Sequence, residues 1–74
     1  MITSRQIRAA RGLLGWSQQQ LADKATLSLT ALARLERGEG DTRMSTVVAV
    51  EKALAKAGIE LLPGEGVRLK NSKT

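Results

Sequence analysis

The chain of 74 residues has no cysteine, histidine, phenylalanine or tyrosine; Trp16 is its single aromatic residue and Pro63 its single proline. Each absence removes a class of chemistry. Without cysteine there is no disulfide or thiolate zinc site to staple a small core, so extra stability has to come from helix packing or self-association. With neither His nor Cys, and with carboxylates scattered along the chain, no nucleophile, acid-base pair or metal-ligand set is assembled; the reading is a non-enzyme with no cofactor and no metal. One tryptophan cannot build the stacking platforms of single-strand and RNA binders, which leaves duplex DNA as the better nucleic-acid ligand. No apolar run approaches the ~20 residues of a membrane span, and the amino terminus lacks the charged start and apolar middle of a secretion signal. A cytoplasmic protein with no membrane partner is therefore expected, and the missing cysteine agrees with a reducing compartment. The length suits one compact unit without a separate sensing module.

What the chain does have is positive charge. Twelve Lys and Arg stand against seven Asp and Glu, a net +5, and in so small a protein that field attracts polyanions, nucleic acid first among them. The charge is uneven: positions 1 to 43 hold seven bases and four acids, positions 44 to 66 two bases and three acids, and the last eight residues three bases alone. Arg68, Lys70 and Lys73 at that end are open to two readings, a solubilising tail or phosphate contacts.

Local chemistry marks the helix starts. Thr3 can cap a first helix with Gln6 reaching back, and Ile2 can close over Ile7; Ser17, Gln20, Trp16 and Leu21 repeat the device. Between them Ile7, Ala10, Leu13 and Leu14 follow helical spacing up to Gly15, predicting a helix from Ser4 to Leu14. Ser28 opens a third helix, Leu29 to Arg37, with Leu32 and Leu35 inward and Gly38 at its end. Only about three residues near Thr26 and Leu27 separate helices two and three. After a polar turn, Gly38 to Thr42, a fourth helix starts between Thr42 and Ser45, carries Val47, Val50, Leu54 and Ala57 on one stripe, and stops at Gly58. The end of the chain partly alternates around Pro63-Gly64-Glu65-Gly66, which predicts a short hairpin rather than a fifth helix.

Two short helices joined by a tight turn, the second with a basic outer face, form the unit that lays a helix in the major groove. The run Trp16-Ser17-Gln18-Gln19-Gln20-Leu21-Ala22, then Leu27-Ser28, Leu32 and Leu35-Glu36-Arg37-Gly38, resembles the Cro and phage-repressor type (xenobiotic-response-element-like) helix-turn-helix family over roughly residues 5 to 57. The resemblance implies a mainly α, lambda-repressor-like helix-turn-helix bundle, here of four helices with a short C-terminal β-hairpin where the family usually has a fifth helix. It divides the chain into a DNA-binding domain, 1–58, and a hairpin with basic tail, 59–74. The function implied is a sequence-specific regulator of transcription, a repressor or an activator, acting on double-stranded DNA with helix 29–37 in the major groove. One departure is Thr26, in the turn where the family usually has glycine. A left-handed backbone costs a β-branched residue on the order of 1 kcal/mol or more, so either the turn carries strain or its path differs.

Spacing puts Thr30, Ala33, Arg34 and Arg37 on the face of helix three opposite Leu32 and Leu35. The resemblance assigns base contacts to Leu29, Thr30 and Arg34, with Arg34 able to fork onto guanine and Leu29 or Thr30 able to meet a thymine methyl; a merely solvated face is the alternative. It places Gln18 and nearby backbone N–H groups against phosphate, capping alone being the other reading. Arg43 is a second phosphate candidate, or a solvent residue of the loop. Arg37 serves the DNA backbone or favours its helix's carboxyl end through the dipole. Arg11 and Glu36 are implied to form a partly buried ion pair joining helix one to helix three. Apolar residues of segment 59–70 exceed what one small helical domain covers, which points to a homodimer through the hairpin, with packing on helices one and four as the competing arrangement. Because Leu29, Ala31 and Ala33 leave helix three poor in polar reading groups, an antitoxin or adaptor that holds a protein partner such as a toxin stands as the alternative function.

Overall fold

A computed structural model describes residues 2–39 and 42–70. Among these described residues, four helices, α1 (Ser4–Leu14), α2 (Gln18–Ala25), α3 (Leu29–Glu36) and α4 (Met44–Lys56), precede two strands, β1 (Ile59–Leu61) and β2 (Val67–Leu69). Gly40 and Asp41 of the polar turn, and the tail beyond Lys70 with Lys73, lie outside the described residues.

The first two helices begin on reciprocal capping boxes. The Gln6 N–H donates to Thr3 Oγ1 at 3.1 Å while Gln6 Oε1 accepts the Thr3 N–H at 2.9 Å; Gln20 and Ser17 repeat the exchange at 3.1 and 2.8 Å. Each box satisfies amides that a helix start would leave without partners. Ser28 caps α3 by accepting from the Ala31 N–H at 3.1 Å. Helix α4 starts after Arg43, whose side chain makes no capping bond.

The ends of α1 and α2 both turn through left-handed backbone. Gly15 ends α1 at φ 69°, as its missing Cβ permits. Thr26 ends α2 at φ 58°, ψ 47°, so the turn follows the left-handed path and the β-branched residue carries the strain.

The core forms where the helices and the hairpin meet: Ile7, Ala10, Leu21, Ala22, Leu32, Val50 and Leu54 are fully or almost fully buried, and Ile2 and Ile59 close its edges. Trp16 packs against this cluster with the Lys24 ammonium 5.8 Å from its ring centroid. One expectation from helical spacing needs correction. Leu13 is 47% exposed, whereas Gln6, about two turns earlier on the same line of α1, is buried. The hairpin is the reason, because it covers only the start of the helix: Gln6 Nε2 donates to the Gly66 carbonyl at 3.0 Å.

The hairpin is antiparallel, with Ile59 opposite Leu69 and Leu61 opposite Val67. Strand β2 lies along α1 and β1 along α4. Ile59 enters the core and Val67 packs against it, so apolar surface joins the hairpin to the helices across Gly58. Leu61 and Leu69 remain exposed at 39% and 37%. Among the described residues, no helix is long and apolar enough to cross a membrane.

Candidate nucleic-acid interface

Helix α3 turns Leu32 and Leu35 into the core and leaves Leu29, Thr30, Arg34 and Arg37 exposed. Three helices are fastened together behind it at one carboxylate. Glu36, its side chain 2% exposed, receives Arg11 Nε at 2.7 Å and Nη2 at 2.9 Å, a two-pronged pairing of guanidinium with carboxylate. Gln18 Nε2 adds a third bond to Glu36 Oε1 at 3.0 Å. Arg11 Nη1 also donates to the Trp16 carbonyl at 3.1 Å, and Arg8 donates to the Glu36 carbonyl. No buried side-chain nitrogen or oxygen among the described residues lacks a partner. A charge removed from water without such partners would cost several kcal/mol; paired in this way, it locks α1, α2 and α3 into one frame.

The residues singled out from the sequence fall into two groups. Arg11, Glu36 and Gln18 are brought together on the inner side of α3. Leu29, Thr30, Arg34 and Arg37 line its outer side, and Arg43 lies beyond the loop at the head of α4, also exposed. The structure thus places the Gln18 side chain on Glu36. The amides of Gln18 and Gln19, in the first turn of α2, are the groups there that a helix itself cannot satisfy.

A further residue, Glu39, escaped sequence reasoning. Its Oε1 accepts from Arg34 Nε at 3.0 Å and its Oε2 from Arg37 Nε at 2.8 Å. Hydrogen bonds from Arg37 and then Arg34 hold its carboxyl below the ordinary value of 4.5. Sequence spacing carried no signal for it, since five residues separate Arg34 from Glu39 and a continuing helix would put them on different faces. They meet because α3 ends in a Schellman turn. Gly38, at φ 76°, reverses the chain, its N–H donating to the Leu35 carbonyl at 3.0 Å and the Glu39 N–H to the Arg34 carbonyl at 3.2 Å.

Comparison with known proteins agrees with this geometry. The family described as Helix-turn-helix matches residues 7–61. The chain is 31% identical over 67 residues to the control protein C.SmaI of Serratia marcescens, covering 90% of this chain and 80% of that protein. No solved structure matches the chain significantly. With a helix-turn-helix unit formed by α2 and α3 and a family match across most of its length, the chain belongs to the Cro and phage-repressor type helix-turn-helix family and is a DNA-binding regulator of transcription, not an enzyme.

Proposed function

We propose that α3 enters the major groove of duplex DNA and reads sequence there, and that the chain does so as a homodimer. The observation that carries the reading is the mounting of α3: its inner face is fixed through Glu36 to α1 and α2, while Leu29, Thr30 and Arg34 stand exposed on its outer side. In this reading Arg34 forks onto a guanine, and Leu29 or Thr30 meets a thymine methyl. Arg37, Arg43 and the α2 amino end with Gln18 meet phosphates, the last through its amides because the Gln18 side chain is engaged by Glu36.

The test begins with selection of bound sequences from random duplex DNA at near-physiological salt. Arg34→Ala should then lose discrimination at one base pair by about 1 to 3 kcal/mol, while Arg43→Ala should weaken all sequences more evenly. Equal losses on selected and random duplexes would demote Arg34 to a backbone contact. Binding that stays flat between low and moderate salt would refute groove docking altogether.

The dimer reading rests on Leu61 and Leu69, exposed on a hairpin whose Ile59 and Val67 already pack inward. Two such hairpins about a two-fold axis would cover them and pair open strand edges. The operator would then be a near-palindrome with half-site centres about 10 base pairs apart. Light scattering should show a dimer that Leu61→Arg converts to monomer; a monomeric parent protein refutes this part. The exposure of Leu29, 41%, supports a second reading, an antitoxin or adaptor surface on the same helix. A partner protein whose capture is lost in Leu29→Arg would favour it.

A further inference from the structure

Glu39 is out of place by ordinary helix electrostatics. It follows the carboxyl end of α3, where the helix dipole disfavours an acid, and it sits among cations that a DNA-binding surface would use. Its position is nonetheless fixed from three sides. Its N–H donates to the Arg34 carbonyl at 3.2 Å, its carbonyl accepts from the Thr42 hydroxyl at 3.0 Å, and its two carboxylate oxygens take the Nε atoms of Arg34 and Arg37. The side chains of all three are partly exposed, 46% for Arg34, 60% for Arg37 and 37% for Glu39. Exposed pairs of this kind add little to stability. A backbone and side-chain arrangement this definite therefore calls for a role other than holding the fold.

We propose that Glu39 is a positioning residue for DNA reading, setting specificity by orienting the Arg34 and Arg37 guanidinium groups and by weakening the sequence-blind attraction of this surface for phosphate. The inference rests on the assignment of α3 to the major groove. A guanidinium is a planar group with donors in a fixed fork, so a carboxylate on Nε sets the plane in which the whole group lies. An arginine held in this way loses less rotamer freedom when it meets a base edge. The same negative charge subtracts from attraction to any phosphate nearby, and that attraction supplies essentially all of random-duplex binding. Both effects favour the right sequence over the wrong one.

The test compares the parent protein and Glu39→Ala on the selected duplex and on a random duplex of equal length, over a range of salt. Glu39→Ala should bind random duplex several-fold more tightly, with a salt slope steeper by about one unit. It should bind the selected duplex no more tightly than before, so that the ratio of the two affinities falls about 10-fold. The melting curve should not move. Equal gains on both duplexes, or no change on either, overturn the proposal. In an Arg34→Ala, Arg37→Ala background the substitution should lower the ratio clearly less than in the parent, only the effect of the charge remaining; a drop of undiminished size shows that the carboxylate does not act through these arginines and overturns the proposal as well. Failure of the underlying groove assignment has a different signature, since Arg34→Ala alone would then cost no discrimination.

Discussion

The two sides of α3 use the same chemistry to opposite ends. On the inside, Glu36 is 2% exposed and gathers Arg11, Gln18 and, at its carbonyl, Arg8. On the outside, Glu39 is 37% exposed and gathers Arg34 and Arg37. Residues only three apart thus place one carboxylate where water is excluded and the other where it is abundant. Burial decides the difference: a buried charge must keep its partners or the fold suffers, whereas an exposed one is screened and free to serve binding.

The largest effect should follow from breaking the inner site. Glu36→Ala takes the carboxylate from the partly buried Arg11, whose side chain is 20% exposed, and should destabilise the protein by about 3 kcal/mol, a large share of what so small a domain possesses. Urea or thermal unfolding followed by circular dichroism measures it. A shift within error would mean that Arg11 escapes to solvent when its partner is removed.

The reversal at Gly38 joins the two sites. Its φ of 76° lies in the left-handed region, although the space for a Cβ is open apart from Ser4 Oγ at 3.6 Å. Gly38→Ala should therefore cost about 1 to 2 kcal/mol through backbone strain alone, and by displacing Glu39 it should also reduce discrimination between selected and random duplexes. Unchanged DNA selectivity in a destabilised variant would separate the turn from the outer site.

A smaller change, of opposite sign, is expected at the turn between α2 and α3. Gly15 and Thr26 adopt nearly the same left-handed conformation, φ 69° and 58°, and only Thr26 pays a steric cost for it. Thr26→Gly should raise stability by up to about 1 kcal/mol, the relieved strain being partly offset by the greater freedom of glycine in the unfolded chain. A lower melting temperature would show that contacts of the threonine side chain outweigh the strain.

The slightest effect concerns pH at the outer site. Because the Glu39 carboxyl is held below 4.5 by Arg37 and Arg34, its pairing is complete above that ordinary value and is lost only as pH falls through the lowered one. Carboxyl carbon NMR should place its midpoint below 4.5 and move it upward in Arg37→Ala. An unmoved midpoint would assign the shift to other groups.

Helix positions were legible in the sequence because their causes are local. The Thr3–Gln6 and Ser17–Gln20 boxes, the Ser28 cap and the Gly15 stop act within a few residues, and the resulting ends of α1 and the turn between α2 and α3 appear where spacing placed them. The tight unit and its motif residues sufficed to indicate the family. Tertiary structure decided what depends on distant neighbours. Apolar spacing alone could not show that Leu13 is exposed and Gln6 buried, since a hairpin some 60 residues away in the chain covers one and not the other. Nor could pattern reveal that Gln18 turns inward to Glu36, or that Arg34 and Arg37 share the Glu39 carboxylate. The first requires α2 and α3 to meet, and the second requires a chain reversal at Gly38 that brings side chains together across a spacing that a regular helix holds apart.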